Sequence, residues 1–161
     1  MISRRVLLGT GAAVAGAAAV VGVAEATHVL DDAARAVGIE PKPQPDPRDD
    51  RIVRTAAQDL AVLLATVEAT AARHPTLELA DFEAIGREHL AALGGSTAAT
   101  DPARVPGSAG AAVTALRKAY VQQSRARAAQ AVEAFSPALV RVLASMSAGL
   151  AQCADAIGDL R

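Results

Sequence analysis

The sequence predicts an all-α fold, an antiparallel four-helix bundle built from two helical hairpins joined by a longer loop. Three observations carry that expectation. Apolar residues recur at steps of three and four through four separate stretches, the spacing that puts them on one face of a helix. Proline and glycine punctuate the chain between those stretches, at His74-Pro75, Gly94-Gly95 and Ser136-Pro137. Phe82, Phe135 and Tyr120 are the only aromatic residues among 161, so the core is expected to consist of Leu, Val, Ile and Ala, with the helices packed closely.

Residues 1–26 read as an address rather than as part of the fold. Arg4 and Arg5 precede an uncharged run from Val6 to Ala24, and Ala24 and Ala26 form the small-x-small pattern of a signal peptidase site. Cleavage is expected after Ala26. The segment Ser3-Arg4-Arg5-Val6-Leu7-Leu8 resembles the twin-arginine signal of bacteria, which implies export of a folded protein across the cytoplasmic membrane. The partners implied are the export machinery and signal peptidase, and the expected location is extracytoplasmic. Two other readings stand beside this one: a Sec-type signal, and an uncleaved membrane anchor, since the apolar run reaches the ~20 residues that span a bilayer. No cysteine follows the run to carry a lipid.

Residues 27–49 are expected to form a linker. Asp31 to Val37 suits a short helical turn, Gly38 ends it, and Pro41, Pro43, Pro45 and Pro47 alternate with polar residues as in an extended polyproline II spacer. Arg4 and Arg5 are two of the 16 basic residues and Glu25 is one of the 17 acidic ones, so the chain beyond residue 26 carries a charge of about −2. That balance points to neither nucleic acid nor an anionic membrane, and leaves membrane contact to the N-terminal segment.

The helical domain is expected over residues 50–161. A first helix starts near Asp49 or Asp50, whose side chains suit capping, and runs to Arg73 with Ile52, Ala56, Leu60, Leu63, Val67 and Ala71 inward. Pro75 stops it. A second helix runs from Leu77 or Leu79 to Leu93 with Phe82, Ile85, His89 and Leu93 on one face, and Gly94-Gly95 ends it. The short link makes these two neighbours. An irregular connection through Pro102 and Pro106 leads to a third helix, Ser108 to Phe135. Val113, Leu116, Tyr120, Ala131 and Ala134 are its inward positions, and Arg117, Lys118, Arg125 and Arg127 form a solvated basic face. Ser136-Pro137 opens the fourth helix as N-cap and first-turn proline. Leu139, Leu143, Met146, Leu150, Cys153, Ile157 and Leu160 form one apolar seam along it, which would suit a coiled-coil partner as well as a bundle. Cys153, the only cysteine, lies on that seam and reads as a small buried hydrophobe.

Leu63-Leu64-Ala65, Glu68, Ala72-Arg73-His74-Pro75-x-Leu77 and His89-Leu90-Ala91-Ala92-Leu93, with Ser136-Pro137-x-Leu139-x-x-x-Leu143-Ala144-Ser145-Met146 later, resemble ferritin-like domains of exported bacterial proteins of unknown function. Ferritin-like members that bind two metals use a Glu from each of two helices and a Glu-x-x-His pair from each of the other two. This sequence departs from that pattern. Leu60 holds the first slot, Gly86 stands three residues before His89, Tyr120 replaces the third acid, and Leu150 and Cys153 replace the last pair. The resemblance therefore implies a degenerate relative without a metal centre and without a cofactor.

Candidate metal-ligating residues are Glu68, His89 and Glu133, with Glu88 beside them. Glu88 and His89 are adjacent, so they point about 100° apart and cannot meet one metal on the bundle axis. His89 is expected to be a core histidine bonded to a neighbour such as Tyr120. His74 reads as a helix-ending residue, and His28 would lie at the new N-terminus after cleavage. No Gly-rich phosphate loop, His-Glu-x-x-His pair, Cys-x-x-Cys or Gly-x-Ser-x-Gly turn is present. The resulting expectation is an exported non-catalytic module at the cell envelope, acting by surface recognition on an envelope protein. The rivals are a metal-binding oxidoreductase or metal-storage protein centred on His89, and a membrane-anchored accessory protein.

Overall fold

The computed structural model describes residues 46–95 and 100–160. Arg4, Arg5, Ala24, Ala26, His28 and the proline spacer as far as residue 45 lie outside the described residues. Among those described the fold is all-α: four helices and no strand.

Helix α1 (Pro47–Arg73) begins earlier than the sequence reading placed it, and takes residues 47–49 out of the expected linker. The reason is local. Asp46 is the N-cap, its carboxylate accepts from the Arg48 N–H at 2.7 Å, and Pro47 occupies the first turn, where its fixed φ fits and its missing N–H is not needed. Ile52, Ala56, Leu60, Leu63 and Val67 are buried as expected, and Leu64 and Thr70 join them. The Thr70 hydroxyl satisfies itself on the Thr66 carbonyl at 2.7 Å, which lets it sit in the core. His74 closes the helix, its N–H donating to the Thr70 carbonyl.

After a short turn in which Leu77 and Leu79 are buried comes α2 (Ala80–Ala92), which packs against α1. A Cβ on Gly86 would lie 3.1 Å from Leu64 Cδ1, so the absence of a side chain there permits the close approach of the two helices. The end of α2 is a Schellman motif: Gly95 N–H donates to Leu90 O at 3.0 Å and Gly94 N–H to Ala91 O at 2.9 Å, with Gly94 at φ 65°.

The described part of the following connection is anchored on α1. Ala103 N–H donates to Thr66 Oγ1 at 2.9 Å, and His74 Nε2 lies 2.9 Å from the Pro106 carbonyl. Helix α3 (Ala109–Glu133) is capped by Ser108, and Ala134 rather than Phe135 ends it. Helix α4 (Pro137–Gly158) follows at once, with Leu143, Met146, Leu150, Cys153 and Ile157 buried. Each fully buried Leu or Ile contributes about 1.5–3 kcal/mol. This helix is also long and apolar enough to cross a membrane by length and composition alone, yet its seam packs into the core.

Helices α3 and α4 approach closely at two serines. Ser124 Oγ donates to the Ser147 carbonyl and Ser147 Oγ to the Ser124 carbonyl, each at 2.9 Å. Phe82 of α2 meets Tyr120 of α3 edge-on, with ring centroids 6.2 Å apart.

Candidate functional site

The residues that sequence reading offered as metal ligands do not converge. Glu68 lies on the outside of α1, where it and Glu83 grip Arg87: Arg87 Nη2 donates to Glu68 Oε1 at 2.8 Å and to Glu83 Oε2 at 3.0 Å. Glu133 is exposed at the end of α3. His89 is half-buried between α2 and α4, where its Cε1 and Nε2 come within 3.4 Å of the place a Cβ on Gly149 would occupy. No hydrogen bond joins it to Tyr120, and its Nδ1 is buried without a partner. Burial lowers the His89 pKa below the usual histidine value, against a smaller opposing effect of Glu88. Among the described residues no three His, Cys, Asp or Glu side chains gather in a way that could hold a metal ion.

The polar centre of the molecule lies elsewhere. Arg127, read from sequence as part of a solvated basic face, has no solvent exposure. Its Nη1 donates to the Ala56 carbonyl at 2.8 Å and its Nη2 to Asp59 Oδ2 at 2.7 Å, which ties α3 to α1. Arg117, Lys118 and Arg125 do remain exposed. The correction follows from register. Leu116, Tyr120 and Arg127 stand at i, i+4 and i+11, one face of α3, and guanidinium is the cation best suited to burial against a carboxylate and a carbonyl. Gln123 and Gln130 flank it, and Arg127 Nε, Gln123 Oε1 and Gln130 Oε1 are all buried without partners.

A buried acid, Asp49, also escaped the sequence reading, which gave it a capping role in its own helix. Its Oδ1 and Oδ2 accept instead from the N–H groups of Phe135 and Ser136, each at 2.8 Å. The side chain of Ser136 makes no capping bond, so Asp49 fixes the α3–α4 turn from α1. Next to this clamp two large apolar side chains are exposed. Val132 is 87% exposed and Phe135 74%, the two most exposed large hydrophobic side chains described.

One open hollow of about 520 Å³ lies at the α1–α2 turn, between Leu77, Leu79 and the carboxylates of Glu78, Asp81 and Glu83. Its lining carries those three carboxylates and no Ser, Thr, Cys, Lys or His. Tyr120 and Cys153 are both core groups whose pKa values burial pushes up, the Cys153 thiol to about 11. Neither is poised as a nucleophile.

Comparison with protein-family models, with curated proteins and with solved structures finds no match to this chain.

Proposed function

We propose that this chain is an exported, non-catalytic protein of the cell envelope that works by surface recognition. Its four helices form an antiparallel bundle of the ferritin-like type in which the metal centre has been lost. The single observation that carries this reading is the end of the molecule at Val132 and Phe135. Two large apolar side chains stand in solvent there, Val132 at the end of α3 and Phe135 on the turn, where the buried Asp49 binds the N–H groups of Phe135 and Ser136. An unsupported hydrophobic residue on a mobile loop says little. One held in a fixed geometry has already lost the conformational freedom that binding would otherwise have to remove. Several interior polar groups join helices, which supports the same reading: Arg127 to Asp59 and Ala56, Asp49 to the turn, Ser124 to Ser147.

On this reading the N-terminal segment, through Arg4 and Arg5, delivers the protein to the twin-arginine machinery. Signal peptidase then cuts after Ala26, and the proline-rich stretch sets the reach of the domain. The experiment is site-specific photo-crosslinking from position 135 in intact cells, with position 62 as the control, because Val62 is 40% exposed on α1. A single crosslinked envelope component at 135, absent at 62 and lost when Val132 is changed to Ser, supports the proposal. Equal labelling from both positions contradicts it.

A further inference from the structure

We propose that His89 is an acid-triggered release for α2, whose protonation frees this helix from α4 while α1, α3 and α4 stay together. Helix α2 buries little of its own length. Only Phe82 and Leu90 of its 13 residues are buried, no side chain caps its start, and its ionic tie to α1 joins exposed groups, Arg87 and Glu68, at 51% and 46% exposure. By contrast α4 buries Leu143, Met146, Leu150, Cys153, Ala154 and Ile157.

His89 is the polar group at the junction of the two. The ring packs against α4 at Gly149, with Nδ1 facing no acceptor. A neutral imidazole can tolerate this by carrying its hydrogen on Nε2. An imidazolium cannot, because both ring nitrogens are then donors and the buried one has nothing to donate to.

The groups around it do not relieve that demand. On α4 no Asp, Glu, Lys or Arg lies between Arg141 and Asp155, and the titratable group there, Cys153, stays a neutral thiol. On α3 the Tyr120 phenol stays neutral, its pKa raised by burial. On α1 Glu68 is held by Arg87, as is Glu83 on α2 itself. Glu88, next to His89 on its own helix, favours the charged ring but less strongly than burial opposes it. The ring therefore takes a proton by leaving its seat.

The direction with pH follows. Above the unfolded histidine value of about 6.5 the ring is neutral in both closed and released forms, and α2 is held at full strength. Below it the released form binds the proton first, so the closed form loses ground by about tenfold per pH unit, until the lowered pKa of the seated ring is passed.

Amide hydrogen exchange resolved by residue, from pH 7.5 to pH 5 and corrected for intrinsic exchange rates, tests this, with the His89 ring signal followed by NMR in the same samples. Protection of α2 amides should fall by that factor per unit below pH 6.5, with α3 and α4 amides unchanged, and the fall should vanish in His89→Gln and His89→Leu. The proposal is overturned if His89→Gln shows the same fall as the unaltered protein. It is equally overturned if the ring titrates at or above 6.5 with α2 protection constant, a result that needs no variant to fold.

Discussion

Arg127 Nη2 and Asp59 Oδ2 are 2.7 Å apart across the α1–α3 contact, and the two side chains differ sharply in exposure, 0% for the arginine and 38% for the aspartate. The pair is thus buried on one side only. Removing either member leaves the other charge in a different solvent, and the two deletions must differ in effect.

Asp59→Ala strands a guanidinium with no water and one carbonyl partner, which is expected to destabilise the protein by about 3–5 kcal/mol. Arg127→Met leaves an aspartate that water already reaches and fills the vacated space with an apolar chain, so its effect should be below about 1.5 kcal/mol. Urea unfolding of both variants checks the order. A larger loss in Arg127→Met would show that the tie does not act as described.

Asp49 gives a second test. Asp49→Ala removes two charge-assisted bonds to the N–H groups of Phe135 and Ser136 and leaves both donors at a half-buried turn, an expected loss of about 2–4 kcal/mol. Asp49→Asn keeps one acceptor oxygen, and about half of that loss is expected. The same denaturation experiment measures both, and Phe135→Ser, on an exposed side chain, should move stability by no more than about 0.5 kcal/mol.

Cys153 reports on the core. Burial raises its pKa to about 11, so at pH 8 only on the order of a thousandth of the thiol is ionised, and the group is also shielded from reagents. Labelling by a thiol-reactive dye should therefore follow global unfolding and accelerate in urea with the unfolded fraction. Fast stoichiometric labelling in buffer would place the α4 seam at the surface.

How much of this was legible in the sequence depends on the kind of residue. The apolar seam of α4 and the stripe of α1 were readable because Leu, Ile and Met at three-four spacing have one physical reading, and the helix ends were readable because Gly94-Gly95 and Ser136-Pro137 each have one backbone consequence. Asp46-Pro47 carried an equally clear start signal, yet the run of alternating prolines before it favoured a spacer. Arg127 and Asp49 were missed for a different reason. Both stand at inward register, Asp49 three residues before Ile52 and Arg127 seven after Tyr120, but a charged residue in such a place has two readings. It can mark a helix face turned to water, or it can be a tie to another element. Only the position of its partner, 68 residues away for Arg127 and 86 for Asp49, decides between them. Glu68 and Glu133 show the converse, since acids near an inward stripe proved to lie outside it.

The proposed non-catalytic role rests on buried polar groups that tie helices together, Arg127 to Asp59 and Ala56 and Asp49 to the α3–α4 turn. Metal content of the purified protein tests it most directly, measured for iron and manganese before and after His89→Ala. The account predicts substoichiometric metal in both samples. Stoichiometric iron or manganese that disappears with His89→Ala would contradict it.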